Sequence, residues 1–372
     1  MPMKRFSATL GILAALTWLG VGPAAAGKYV TTQISTLGGA YLGLFPKINN
    51  RGEVAWAGNY YDSPGLYLYS HGVVKQLTNN PNIQNFDIND LGQVVWSGLV
   101  LSPYGYNIFL YKNGVTTQVT TDGNNNFDPS FNDYGDFVWN TYDGSKARIK
   151  LCTSAGSIST YWTCPTASEI NINYVFPVIN NQGQVAWANY TLDNLDHIYL
   201  DGVLIHSSPS FISSLGYTDP LYSLNNNGDL VFSSSDGIWL KKNGASIQLI
   251  ATTDNRSYRP RINDSGLVAY VGDSTAFTTA VFLYSSATGS QKITDNGVYP
   301  FLNSKGQVIW TNNQGIYSYY QNASSLIINY TYSVYPTLND RGQVAFQGPF
   351  SGDGIFLSRP AAGQPWLPML LD

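Results

Sequence analysis

Ile48-Asn49-Asn50-Arg51-Gly52-Glu53-Val54-Ala55-Trp56 is the stretch on which the fold is decided. An Asn side chain can hydrogen-bond the backbone two residues on and so starts a tight turn. Gly three positions later supplies the left-handed conformation that ends such a turn, commonly with a bulge. Apolar residues then leave the turn in alternation, Val54 and Trp56, which is the period of a strand. The stretch therefore reads as a β-hairpin. It returns as INDLGQVVW ending at Trp96, FNDYGDFVW at Trp139, INNQGQVAW at Trp187, LNNNGDLVF at Phe232, INDSGLVAY at Tyr270, LNSKGQVIW at Trp310 and LNDRGQVAF at Phe346. The turn glycines are Gly52, Gly92, Gly135, Gly183, Gly228, Gly266, Gly306 and Gly342, spaced by 40, 43, 48, 45, 38, 40 and 36 residues. The Asn is present every time, at 49, 89, 132, 180, 225, 263, 303 and 339. Because every unit needs the same turn, the motif reads first as architecture and not as a ligand loop.

Each unit carries more strands. After Trp56 come Gly65-Leu66-Tyr67-Leu68-Tyr69, a turn at His71-Gly72, and Val74-Lys75-Gln76-Leu77-Thr78. The second and fifth units repeat this around Asn113-Gly114 and Asn243-Gly244. A unit is thus strand A, the Asn turn, strand B, strand C, a Gly turn and strand D. Four short antiparallel strands in about 40 residues make one propeller blade. The eighth unit ends on strand C, Gly354-Ile355-Phe356-Leu357, without a D strand. Tyr29 to Thr36 reads as a D strand without a blade. Pairing the two closes the ring and removes its open edges. The expectation is an all-β fold, an eight-bladed β-propeller over residues 27–358 that is completed by its N-terminal strand.

The repeated N-x-x-G-x-V-A-(W/F) resembles the tandem repeats of secreted bacterial NxxGxxAF proteins, over nearly all of residues 29–358. The order of turn and strands is more remotely similar to TolB-like propellers. Their turn usually carries Pro-Asp-Gly where this chain has Asn-x-x-Gly. The resemblance implies a fold and export. It implies no shared reaction, so no catalytic residues carry over.

Composition agrees. The 372 residues are only 11% charged and 14% aromatic, with 36 Gly and 27 Tyr, which disfavours both disorder and helix. With 19 basic and 23 acidic residues there is no positive surplus to neutralise a phosphate backbone, so a nucleic-acid partner is not expected. Lys4 and Arg5, an apolar run from Ala8 to Val21, and Ala24-Ala25-Ala26 read as a secretory signal peptide, residues 1–26. No later segment reads as a transmembrane span. The predicted setting is secreted, with the periplasm as the alternative. Export makes Cys152 and Cys164 candidates for a disulfide worth about 3 kcal/mol. They are not directly opposite across a turn at Ser154-Ala155-Gly156, so the bridge requires a bulge or bend. Residues 359–372 form a Pro-rich tail that carries Trp366, Leu367, Met369, Leu370 and Leu371, apolar enough to pack on a blade or a partner.

Chemistry is harder to find. His71, His197 and His206 show no zinc spacing, and no G-x-S-x-G elbow occurs. Glu53 and Glu169 are the only Glu residues, so a two-carboxylate glycosidase would have to use Asp. No cofactor is expected. Calcium is the weaker possibility, at the oxygen-rich loops Asp122–Asp128 and Asp193–Asp196. Ring symmetry offers a better guide. Pro46, Pro129, Pro177, Pro260, Pro300 and Pro336 stand six residues before their turn glycines. The position just before varies in kind: Phe45, Asn85, Asp128, Phe176, Leu221, Arg259, Tyr299 and Tyr335. These residues enter the innermost strands at one mouth of the channel. There, rings and polar groups together suit a ligand. Tyr60, Tyr61, Asp62, Tyr104, Tyr106, Tyr142 and Asp143 belong to loops on the same face. Arg256, Arg259 and Arg261 are the one basic cluster, able to meet an acidic group or to pair with Asp254 and Asp264. The alternative role for the mouth residues is to fill space between blades.

The functional expectation is a recognition or scaffold module that binds an extracellular glycan, peptide or protein partner at the channel mouth. The alternatives are an extracellular glycan hydrolase or lyase using Asp, Tyr or Arg there, and a structural component of a cell surface or matrix.

Overall fold

The computed structural model describes residues 29–36, 45–58, 60–61, 63–164, 176–190, 195–209, 221–252, 258–275, 278–329, 335–348 and 354–361. The expected signal peptide and most of the tail lie outside them. Thirty-two strands, numbered β1 to β32 in chain order, form eight four-stranded sheets. Blade one shows the plan: β2 (Lys47–Ile48), β3 (Val54–Ala57), β4 (Leu66–Ser70) and β5 (Val73–Thr78) lie side by side as strands A to D. Blade eight is β30 (Thr337–Leu338), β31 (Val344–Gln347) and β32 (Ile355–Pro360), with β1 (Tyr29–Ser35) as its fourth strand. The β1–β32 register runs from Tyr29 opposite Pro360 to Ser35 opposite Ile355. The ring is closed by the N-terminal strand, and strand C of blade eight continues through Pro360.

The V-A-W signature explains how blades stack. Successive side chains of a strand point to opposite faces, and each face of a blade meets a neighbour. The motif's terminal aromatic points one way and the residue before it points the other. Trp96 of blade two therefore packs with Ala55 and Ala57 of blade one, and Trp56 packs with Ala345, Ile355 and Leu357 of blade eight. A small residue in one blade makes room for the large ring of the next. Within a blade the same ring stacks on an aromatic of strand C, as in Trp56–Tyr67, Trp96–Phe109, Trp187–Tyr199 and Trp310–Tyr317, with centroids 5.2–5.6 Å apart. Burying each Trp contributes on the order of 2–3 kcal/mol.

The motif Asn does more than start a turn. Its Oδ1 accepts from the backbone two and four residues on, as expected of an Asx turn; in blade four the donors are Gln182 N (3.0 Å) and Gln184 N (2.9 Å). Its Nδ2 reaches the next blade and donates to the carbonyl of the next motif Asn. The links run Asn49 to Asn89 (2.9 Å), Asn89 to Asn132 (3.3 Å), Asn132 to Asn180 (3.3 Å) and Asn180 to Asn225 (2.9 Å). They continue Asn225 to Asn263 (3.0 Å), Asn263 to Asn303 (3.0 Å), Asn303 to Asn339 (3.1 Å) and Asn339 back to Asn49 (2.8 Å). All eight are buried, so the blades are tied by a closed circle of hydrogen bonds shielded from water. The residue after the turn Gly completes the link. A Cβ on Gly92 (φ +73°) would sit 2.5 Å from Glu53 Oε2 of the preceding blade. One on Gly228 (φ +81°) would sit 2.5 Å from Gln184 Oε1. These glycines answer both a left-handed backbone and a close approach.

The expected disulfide is absent. Cys152 and Cys164 are both buried, and no disulfide joins them. Both belong to the hairpin of β12 (Ala147–Cys152) and β13 (Ile158–Thr163), whose register places Cys152 opposite Ile158, next to the turn. Cys164 lies at the far end, its N–H donating to Ala147 O at 3.0 Å. The thiols are thus separated by nearly the length of a strand, beyond what a bridge spans. Burial pushes the Cys152 thiol up to about 11, which leaves it unreactive.

Candidate functional site

Strand A of each blade starts at one end of the channel, where the loops from strand D and between strands B and C also lie. In blades three, six and seven the residue before Pro is a bulge. The A–B register slips between Phe127 and Ser130, Tyr258 and Arg261, and Val298 and Phe301. Asp128, Arg259 and Tyr299 take φ of +50°, +60° and +54°. A residue before proline ordinarily stays extended, and a left-handed side-chain-bearing residue costs on the order of 1–3 kcal/mol. Three of the eight mouth positions therefore carry backbone strain; the other left-handed non-glycine residues among those described, His71, Asn113, Asp201, Gln321 and Asn322, sit in C–D turns on the opposite face.

The mouth residues sort into two groups. Arg259, Tyr299, Tyr335 and Phe45, from blades six, seven, eight and one, form a contiguous cluster. The Arg259 guanidinium lies 4.4 Å from the Tyr299 ring centre, and the Tyr299 and Tyr335 centres are 3.8 Å apart. Tyr335 lies 3.4 Å from Phe45 at 15°. The two tyrosine hydroxyls meet at 2.5 Å. Burial, together with the Tyr335 hydroxyl, pushes the Tyr299 phenol well above its ordinary value, with Arg259 pulling the other way. The second group is Asn85 and Asp128. Asp128 is 8% exposed and accepts from Asn85 Nδ2 (3.3 Å) and Asn140 Nδ2 (2.9 Å). Burial pushes its carboxyl up to about 7, against the opposing pull of both amides and of Lys47. Phe176 joins neither group; it packs in the core between blades four and five, and its carbonyl accepts from the Tyr222 hydroxyl. Leu221 is buried in the same core.

This arrangement changes what the mouth can do. Tyr335 packs between Tyr299 and Phe45, and the Arg259 guanidinium reaches both tyrosines, at 4.4 Å from the Tyr299 centre and 5.8 Å from that of Tyr335, so the rings are engaged with one another and with the cation. What they offer is hydroxyls and edges, beside the guanidinium of Arg259. Deeper in the ring Lys47 pairs with Asp87 at 3.2 Å, and Arg261 lies over Phe301 at 5.3 Å. Asp264 accepts instead from Asn226 N and Nδ2 (2.7 and 3.0 Å). Arg256 and Asp254 lie outside the described residues.

The rim of this face is uneven. In blades five and seven strands B and C turn at once, with the last pairs Ser234–Gly237 and Asn312–Gly315. In blade two, β7 (Val94–Leu101) and β8 (Tyr104–Lys112) continue to Leu101–Tyr104. In blade six, β23 (Val268–Thr275) and β24 (Thr278–Ser285) continue to Thr275–Thr278. Three extra residues raise each hairpin by about 10 Å. Four blades separate them in a ring of eight, so they stand on opposite sides of the mouth. The blade-two hairpin is braced by Tyr106 against Phe127 (5.1 Å) and by Asn126 Nδ2 on Tyr106 O (3.2 Å). It carries Leu101 and Tyr104 at its tip, 78% and 71% exposed. Sequence reading found the tyrosines and not the heights, since only register shows where a hairpin ends.

The remaining candidates are engaged locally. Asp122 accepts from Asn124 N and Nδ2 and from Asn126 Nδ2, so that loop folds on its own carboxylate. Asp193 and Asn194 lie outside the described residues, as does Asp62. Among the described residues no group of three or more His, Cys, Asp or Glu is placed to hold a metal ion. His71, His197 and His206 each meet a serine hydroxyl, at 2.8, 2.7 and 3.3 Å. Tyr60 and Tyr61 meet edge to face at 5.0 Å. Asp143 is held well below the usual carboxylate range by Ser145, the Lys146 N–H and Arg148, and closes its own turn. No helix of the described residues is long and apolar enough to cross a membrane.

No protein-family model and no curated protein matches this sequence. Solved structures match it in shape. The β-propeller domain of the Trilobed protease from Pyrococcus furiosus aligns at 10% identity over 76% of this chain and 93% of its own, with a TM-score of 0.52. A chain of the mitotic checkpoint complex aligns at 12% identity over 96% and 100%, with a TM-score of 0.51. TolB from Acinetobacter baumannii aligns at 12% identity over 90% and 80%, with a TM-score of 0.40. The Pyrococcus propeller is described as having an open velcro topology, whereas here β1 and β32 seal the seam. Likeness at this identity speaks to fold alone: the chain is a closed eight-bladed β-propeller.

Proposed function

We propose that the protein is an exported recognition module that holds an extracellular glycan, peptide or partner protein across the channel mouth. The observation that carries this reading is the strained ring position, where Asp128, Arg259 and Tyr299 keep left-handed backbones while grouping polar side chains at one opening. The raised hairpins of blades two and six flank that opening. With Tyr299 and Tyr335 packed on each other and against Arg259, recognition there is polar, through Arg259 and the tyrosine hydroxyls. Leu101 and Tyr104 supply apolar contact above. The leader-like residues 1–26 and the resemblance to secreted NxxGxxAF repeats support the exported setting.

One observation favours a second reading. A buried carboxyl held near neutrality, as Asp128 is, suits proton donation in a glycan hydrolase or lyase. Its two oxygens are occupied by Asn85 and Asn140, which is why recognition is preferred.

The test is a glycan array and a peptide library, with reducing-end release followed in parallel. Arg259→Ala combined with Tyr104→Ala is expected to weaken the strongest binding at least tenfold, about 1.4 kcal/mol. Unchanged affinity in a folded double variant would exclude this mouth. Release that is abolished by Asp128→Asn would establish the enzyme.

A further inference from the structure

The face opposite the mouth carries an unexplained asymmetry. Eleven large apolar side chains are exposed among the described residues, and eight of them lie on that face, all in blades eight and one to four. Val30, Val73, Val115, Ile158 and Val203 begin or nearly begin the outermost strands of those five consecutive blades and are 48–66% exposed. Leu91 and Tyr134 stand on the Asn turns of blades two and three, 51% and 63% exposed. In blades five to seven the corresponding turns lead into Ala245, Gly289 and Ala323. An apolar arc on half of one rim is not what a symmetric ring requires, and such patches mark contact surfaces.

Strand direction shows what leaves the ring beside it. Strand C runs from the mouth face to the opposite face, so β32 delivers Pro360 there, paired with Tyr29. The end of β32 already leans on blade one, where Arg359 Nη2 donates to Tyr69 Oη at 3.5 Å. The chain continues from Ala361 into residues 362–372, which lie outside the described residues. That segment holds Trp366, Leu367, Met369, Leu370 and Leu371 with Pro365 and Pro368. Met369, eight residues beyond Ala361, can reach about 26 Å. Prolines in a segment reduce the entropy lost when it is ordered.

We propose that residues 362–372 dock on the apolar rim of blades one and two, on the face opposite the mouth. The proposal is independent of the mouth reading, because it concerns the other face. Val73 and Ala323 occupy matching turns one blade to either side of blade eight, so an undirected tail would meet both alike. In the full chain, Met369→Cys is combined with Val73→Cys or with Ala323→Cys and oxidised by glutathione disulfide. Cys152 and Cys164 are buried and do not compete. The expected result is an intramolecular bridge to position 73 formed at least tenfold faster than to position 323. Adding Trp366→Asp and Leu370→Asp should abolish the preference. Equal rates to both positions would overturn the proposal. So would bridges that form only between chains, which would assign the arc to a second copy of the protein.

Discussion

Replacing Asn180 by Asp isolates the circle of inter-blade hydrogen bonds from the turn that the same residue makes. Asn180 accepts from Gln182 N and Gln184 N, and donates to Gln184 Oε1 (2.9 Å) and to Asn225 O of the next blade (2.9 Å). It is 4% exposed. Asn180→Ala removes all four bonds at about 1 kcal/mol each, for a total of about 4 kcal/mol. Asn180→Asp keeps the two accepted bonds and turns the donating edge into an acceptor that faces a carbonyl. Gln184 can rotate its amide to meet the new oxygen only by giving up its Nε2 bond to Asp201 Oδ2 (3.2 Å), so the loss is the inter-blade bond, one Gln184 bond and repulsion, about 3 kcal/mol at neutral pH. The cost has a signature. Burial and the facing carbonyl hold the introduced carboxyl above its unfolded value of about 3.9. The folded state then binds the proton more tightly. The destabilisation is absent below about pH 4 and grows as pH rises through the raised value. Urea unfolding of both variants at neutral pH and near pH 4 measures this. A variant Asn180→Asp within about 0.5 kcal/mol of wild type at neutral pH, or one equally destabilised at both, would refute the role of the circle.

Other consequences are equally direct. Gly92→Ala forces a left-handed alanine against Glu53 and should cost at least about 3 kcal/mol. Gly72→Ala, at φ +83° with open space around it, should cost only about 1–2 kcal/mol; thermal melts compare the two. With its carboxyl raised to about 7, Asp128 should make the fold lose stability as pH rises from about 4 to 7, by at most on the order of 4 kcal/mol. Asp128→Asn should flatten that slope in urea titrations at several pH values. Dithiothreitol should leave the melting temperature unchanged, and alkylation after denaturation should find both Cys152 and Cys164 as thiols; a shift matching the roughly 3 kcal/mol of a closed short loop would contradict the register.

The turn motif made the blade number and the seam legible, because Asn-x-x-Gly has one local meaning and the unpaired ends of the repeat could satisfy only each other. The circle of amides resides in the same eight residues, but the turn alone does not reveal it. An Asx turn needs only an acceptor, which Asp or Ser also provides. That all eight units use Asn signals a donor with work elsewhere, and Gln or Glu after the Gly in five of them signals a neighbour within reach. The cysteines misled because their separation fits a hairpin while their register does not: Cys152 sits at the turn and Cys164 at the open end. The mouth was legible as a ring of equivalent positions. Which rings would stack on one another, and that Phe176 would turn into the core, depends on packing between blades that repeat spacing does not encode.

The seam also sets the timetable of folding. Tyr29 finds its partner only when Pro360 has been made, and Asn339 reaches Asn49 across 290 positions of chain. Until the last blade emerges, the first residues have nowhere to go, and the ring cannot lock. Such long-range pairing is slow. The seven blades made before it can form in order, but none of them closes the circle, and the final strand works as the latch.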